Sequence, residues 1–352
     1  MKFRVLALGA ALAGLLFAGC AREQQPAGVT VLTYASQYSP AHPFSRADIT
    51  WMEWIAERSG GKMRIRPYWA GSVLSSEHSM TEIRHGVVDI GLITPIYARG
   101  GAHLIHVQAA FYAGLTTIPQ QVALYRCLER VDPQFARELE GMVVLAVQGG
   151  NLPGIVTRNR VVHTLEDLQG LRLRAPAELL DVLRRFGADP VDMPMGAVYS
   201  ALAKGVLDGV VAPADTLRSL HFAEVANYFN ELHVPRGAYA ARAIGLQRWQ
   251  SLTDEERAIL EEGVAVWEHA LDQELQRAQI AGEAAGRQHE MTFTNLPEAD
   301  KRRFLDVYNE VAERNARRSV RYEIDGLRLF NYARKVVAHA GGGPIECLGE
   351  IE

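Results

Sequence analysis

The sequence predicts an α/β protein of two lobes, hinged around a central cleft and spanned by one long helix. Three observations predict it. Strand-like and helix-like runs alternate from Val29 to Ile93, a pattern that favours parallel strands joined by right-handed crossovers. Gly149 to Gly154, GGNLPG, is a Gly/Pro-rich break between two such alternating sets. After Thr253 the apolar residues Leu260, Val264, Trp267, Leu271 and Leu275 recur at helical spacing with no proline before Pro297. That leaves room for some 35 residues, roughly 50 Å at 1.5 Å per residue, and makes the helix a spine. At 352 residues the chain also exceeds what one hydrophobic core usually serves.

The first twenty residues stand apart from this body. Lys2 and Arg4 precede the apolar run Val5 to Ala18, which ends in Leu16-Phe17-Ala18-Gly19-Cys20. This is a secretory signal peptide, too short to span a bilayer. Its ending resembles a bacterial lipobox, which makes Cys20 the expected lipidation site; an ordinary signal with a chance cysteine is the alternative. Residues 21–28 then form a polar tether. The body is expected outside the cytoplasm, in the periplasm or on the outer cell face, held to a membrane by its lipid. Cys127 and Cys347 can pair in such an oxidising compartment, and the sequence leaves open whether they do.

The elements follow in order. Val29 to Ala35 is a strand, Ala47 to Arg58 a helix stopped by Gly60-Gly61, and Lys62 to Tyr68 a second strand. A helix from Ser76 to His85 leads to an apolar strand, Val87 to Ile93, closed by Thr94-Pro95. Gln120 to Glu140 reads as one helix. Met142 to Val147 is an apolar run of the kind buried parallel sheets use. Beyond the break, Ile155 to Arg158 opens the second set, which contains LEDLQGLRLRAPAELL from Leu165 onward. Tyr239 to Gln247 returns the chain to the first lobe. A Thr-x-x-Glu capping box at Thr253 to Glu256 starts the long helix. Leu296 to Arg317 is a further helix, and the segment after it holds a short helical run and a loose tail, AGGGPIECLGEIE. The lobes are thus expected at 29–152 plus about 239–285, and at 153–238 plus about 286–320. Residues 321–352 form a C-terminal extension.

Composition narrows the function. A formal charge of −4, from 37 basic and 41 acidic side chains, gives no electrostatic case for nucleic acid. G-x-S-x-G, G-x-x-x-x-G-K-[ST], H-E-x-x-H and paired C-x-x-C motifs are all missing, so the chain reads as no enzyme, with no cofactor and no metal. His103 and His106 have metal-ligand spacing but no third ligand nearby. Arg172 and Arg174 are different. They alternate with Leu171 and Leu173 on one strand, so both guanidinium groups project to one face. An arginine at the carboxyl end of such a strand points into the crevice where α/β sheets bind ligands, and its planar fork grips a carboxylate with two parallel hydrogen bonds. A structural ion pair is the alternative.

L-E-D-L-x-G-L-R-L-R-x-P, then F-G-A-D-P-V-x-M-P and Y-S-A-L-x-x-G-V-L-D-G, resemble the DctP-type solute-binding proteins of TRAP transporters, the tripartite ATP-independent periplasmic systems. Ser39-Pro40-Ala41-His42-Pro43, Gly60-Gly61-Lys62 and E-I-R-H-G-V-V-D-I-G (Glu82 to Gly91) extend the resemblance over about residues 29 to 315. It implies a type II-like periplasmic-binding-protein fold that closes on a small carboxylate and delivers it to TRAP membrane permease subunits. It also implies that the arginine of L-R-x-P, here Arg174, forms the salt bridge to the ligand, with Arg172 in support. A monomer is expected. A lipoprotein sensor reporting to a receptor is the alternative function. Two departures bear on the ligand. Ala212 stands where many relatives have a polar asparagine, and Asn151-Leu152-Pro153-Gly154 where many carry a second ligand-facing arginine. A monocarboxylate with an apolar or aromatic body is therefore favoured over short dicarboxylates. The remaining candidate contacts are Tyr34, Tyr38, Trp69 and Tyr199 for stacking, and Glu77, Thr94, Asn151 and Asp215 for polar contact.

Overall fold

The computed structural model describes residues 28–349. The signal peptide, Cys20 and all but the last residue of the tether lie outside them. Eleven strands in this range form two sheets. The first contains β1 (Thr30–Ala35), β2 (Met63–Tyr68), β3 (Ile90–Leu92), β4 (Met142–Gln148) and β10 (Tyr239–Gly245), in the order β2-β1-β3-β10-β4. The second contains β5 (Gly154–Thr157), β6 (Arg172–Arg174), β7 (Asp189–Val191), β8 (Gly209–Ala212), β9 (Tyr228–Asn230) and β11 (Thr292–Thr294), in the order β11-β9-β5-β8-β6-β7.

The alternation read from the sequence produces β1 parallel to both β2 and β3, and β6 parallel to β7 and β8. Met142 to Val147 is corrected: β4 pairs antiparallel with β10, which is itself antiparallel to β3. β10 enters the sheet from the far lobe rather than through a local crossover, so its direction is set by that return path. The single helix expected over Gln120 to Glu140 is two, Ile118–Val131 and Gln134–Glu138, parted at Pro133, whose ring cannot continue a helix ladder.

The long helix, Asp254–Gln288, has 35 residues and opens on the expected box, with Thr253 and Glu256 capping each other. It lies along the helix Pro43–Arg58 of the first lobe and the helix Asp215–Ser219 of the second. Close approach requires glycine at both places. A side chain at Gly263 would strike Trp51, and one at Gly282 would strike the Ala214 carbonyl.

The tail is the clearest departure. Gly326–Ala340 is an amphipathic helix that buries Leu329, Phe330, Tyr332, Ala333 and Val336. Beyond it a disulfide joins Cys347 to Cys127, and Gln120 donates to the carbonyls of Gly342 and Gly343. A segment rich in glycine is held here by covalent and side-chain ties that local composition does not encode. Among the described residues no helix is long and apolar enough to cross a membrane.

Candidate functional site

The carboxyl ends of β1, β3, β6 and β8 converge on a cavity of about 110 Å³, several times the room one water needs. Tyr38, His42, Phe44, Thr94, Ile96 and Tyr97 line it from the first lobe, and Arg174, Pro176, Glu178, Met195, Val211, Pro213, Asp215 and Thr216 from the second. The crossing from β9 to β10 adds Pro235, Arg236 and Gly237, and the long helix adds Leu275. Aliphatic, proline and aromatic side chains make most of the wall.

Arg174 is the last residue of β6, hydrogen-bonded to β7 and β8 on either side, so its backbone is fixed from both edges. The side chain is 2% exposed. Its Nε donates to the Met193 carbonyl at 2.9 Å and its Nη2 to the Tyr97 hydroxyl at 2.8 Å, the latter a bond from one lobe to the other. Its Nη1 has no partner, and no carboxylate lies within ion-pair distance, among the described residues. Glu178 and Asp192 act on it electrostatically from beyond ion-pair distance, so the guanidinium stands at the cavity wall without a direct carboxylate contact. Arg172 differs. It sits at the opposite end of the same strand, half exposed, 3.9 Å from Asp189. Equal parity put both side chains on one face, but only the carboxyl end reaches the cavity.

Of the other candidates, Tyr38, Thr94 and Asp215 line the cavity. Tyr38 stacks on His42 with ring centroids 4.0 Å apart, and burial pushes its hydroxyl pKa up. Burial also holds His42 neutral, lowering its pKa to about 3, with the Arg46 and Arg242 charges acting in the same direction. Asp215 is 4% exposed; burial raises its pKa, against the pull of the Asn151 amide and the Arg236 charge. Asn151 is outside the lining and acts as a support, its Nδ2 donating to Asp215 Oδ1 and to the Leu275 carbonyl, both at 3.0 Å.

Five candidates are placed elsewhere. Tyr34 is wholly buried under the first sheet, where its hydroxyl donates to Asp48 at 2.5 Å. Trp69 packs edge-on against Tyr34 rather than on the cavity. Glu77 pairs with Arg99 at 3.0 Å. Tyr199 is on the outer surface, bonded to Glu224. Ala212 is buried within β8, with its neighbours Val211 and Pro213 forming the wall. Aromatic character alone does not distinguish core from cleft, so Tyr34, Trp69 and Tyr199 have the composition of a stacking site without lining the cavity. His103 stacks on Tyr322, His106 Nε2 is 2.8 Å from the Pro95 carbonyl, and no metal-binding cluster exists among the described residues.

The sequence reading passes over Arg236. Its Nη1 donates to the Asn151 carbonyl at 3.3 Å, and a side chain at Gly150 would collide with its guanidinium. A cation thus stands beside Asn151, where the sequence had suggested none. The one available signal was a lone arginine between Pro235 and Gly237.

Over residues 34–319 the sequence matches the bacterial extracellular solute-binding protein, family 7. The chain belongs to this family. Its members are binding proteins rather than enzymes. A solute-binding protein of Albidiferax ferrireducens is 25% identical over 177 residues, 49% of this chain and 51% of that protein, so the chain spans about half the length of this curated relative. A TRAP solute-binding protein from Rhodoferax ferrireducens, solved with copurified benzoate, superposes with a TM-score of 0.80 at 23% identity over 89% of this chain and 99% of that one. A marine metagenome TRAP solute-binding protein specific for aromatic acid ligands, solved with metahydroxyphenylacetate, gives 0.78 at 22% identity over 88% and 99%. The two-lobed α/β fold of family 7 is therefore the fold of this chain.

Proposed function

We propose that this family 7 protein is the extracytoplasmic binding subunit of a TRAP-type secondary transporter. It captures a small organic acid with an apolar or aromatic body between its lobes and passes it to the membrane permease. The observation that carries this reading is Arg174, a buried cation with no carboxylate partner among the described residues, facing a largely apolar cavity. A ligand carboxylate supplies the direct partner that Glu178 and Asp192, beyond ion-pair distance, do not. The bond from Arg174 to Tyr97 gives closure a direct link between the lobes, because a carboxylate on Arg174 draws the same guanidinium that touches the opposite wall. The benzoate and metahydroxyphenylacetate held by its structural neighbours fit a wall of this composition. Signal-peptide export and lipid attachment at Cys20 belong to the same reading and place the protein at a membrane face, where the permease is.

Isothermal titration with benzoate and phenylacetate tests it. The wild-type protein is expected to bind at least one of these acids, and Arg174→Ala to lose about 3 kcal/mol or more of that affinity. Unchanged affinity in the variant would remove Arg174 from the site.

A further inference from the structure

Arg236 and Asp215 stand on either side of Asn151, and that residue touches both. Its carbonyl accepts from Arg236 Nη1 at 3.3 Å, and its side-chain amide donates to Asp215 Oδ1 at 3.0 Å. Arg236 and Asp215 both line the cavity, yet they form no ion pair with each other. The remaining donors of Arg236 and the Oδ2 of Asp215 have no partner among the described residues. One donor and one acceptor are therefore presented together, held by a common support, in the same wall as Arg174, and Glu178 feels the charges of both arginines. Gly150 secures the arrangement from behind, since any side chain there would push the guanidinium away.

Three kinds of ligand substituent would meet this pair differently. A hydrogen or methyl group leaves both polar groups desolvated and unmatched. A second carboxylate satisfies Arg236 but is set against the Asp215 carboxylate. A hydroxyl accepts from Arg236 and donates to Asp215 at once. We propose that the Arg236–Asn151–Asp215 cluster is a hydroxyl-recognition subsite, and that the preferred ligand is a hydroxy acid, its carboxylate on Arg174 and its hydroxyl on this cluster. The inference rests on the reading of Arg174 as the carboxylate anchor. A site built to bond a hydroxyl discriminates strongly against the analogue that lacks it, because the analogue leaves buried polar groups unpaired.

The experiment is a calorimetric comparison of parent acids with their hydroxylated forms: benzoate against 2-, 3- and 4-hydroxybenzoate and isophthalate, and phenylacetate against its α-, 3- and 4-hydroxy derivatives. The wild-type protein is expected to bind at least one hydroxy acid roughly tenfold or more tightly than its parent, which a single charge-assisted hydrogen bond can supply. Arg236→Met and Asp215→Ala are each expected to bring that ratio to within about threefold of unity. Thermal unfolding of each variant without ligand checks that it folds. A wild-type protein that binds parents and hydroxy acids alike, or prefers isophthalate, overturns the subsite, as do variants that weaken parent and hydroxy acid equally. Arg174→Ala separates the two readings. If that variant abolishes binding of the parents while hydroxylation makes no difference in the wild type, the anchor stands and the subsite falls; if it keeps acid binding, the anchor falls first.

Discussion

Arg242 in the first lobe and Arg174 in the second are withdrawn from solvent alike, at 0% and 2% exposure, but only Arg242 has a carboxylate within ion-pair distance. Asp48 takes its Nε at 2.7 Å and its Nη2 at 3.2 Å, and also accepts from Tyr34 and from Trp267 Nε1. The Arg242 guanidinium lies 4.5 Å from the centre of the Trp267 ring. That network ties β1, β10, the helix Pro43–Arg58 and the long helix together. Arg174 has a backbone carbonyl, a tyrosine hydroxyl and an open cavity instead. The difference teaches how to sort buried charges: one in direct contact with its neutralising carboxylate belongs to the core, and one without such a contact at a cavity wall is the candidate to test for a ligand.

The largest expected effect is on the paired side. Asp48→Ala leaves Arg242 buried and uncompensated, and a loss of about 3–5 kcal/mol is expected in urea unfolding. A loss below about 1 kcal/mol would break the contrast. Next, Arg174→Ala should keep the ligand-free stability within about 1 kcal/mol of the parent in the same assay, because no carboxylate pairs with it directly and Glu178 and Asp192 act only from beyond ion-pair distance. A loss comparable to that of Asp48→Ala would place Arg174 in the core.

His42 offers a third case, a base kept neutral beside these cations. Its pKa is lowered from 6.5 to about 3, so between those values the unfolded chain binds the additional proton. Stability conferred by the neutral ring is therefore complete above about pH 6.5 and is lost as pH falls toward 3. His42→Phe should flatten this part of the pH–stability curve, by up to about 3 kcal/mol at pH 4.5. An unchanged slope would show that His42 is not the group responsible. The smallest effect is expected for Tyr97→Phe, which removes the interlobe hydroxyl from Arg174. About 0.5–1.5 kcal/mol of apparent ligand affinity should be lost, read by titration.

Local signals carried well from sequence to structure. The long helix and its cap were legible because periodicity and a capping box both lie within a few turns of chain. Strand parity put Arg172 and Arg174 on one face and the family resemblance chose Arg174, which is the one at the carboxyl end of β6 and in the cavity lining. What was not legible depends on distant chain. The antiparallel setting of β4 is decided by β10, about a hundred residues later. Asp48 and Arg242 are 194 residues apart, and neither shows a pattern that points to the other. Arg236 enters the cavity from an irregular crossing with no period to read, and Tyr34 and Trp69 carry the composition of a stacking site while serving the core.

The strand order has a consequence for how the chain can be made. β10 separates β3 from β4 in the first sheet, and the two do not pair with each other. That sheet remains in two pieces until synthesis has passed residue 245, by which time every strand of the second sheet except β11 has already emerged. The first sheet is thus completed only after the contiguous strands β5 to β9 of the second have been made, so its order of assembly cannot simply follow the order of translation. An early stop between β4 and β10 leaves the edges of β3 and β4 open at once, and such a fragment carries two unpaired strand edges into the place where a complete chain has none.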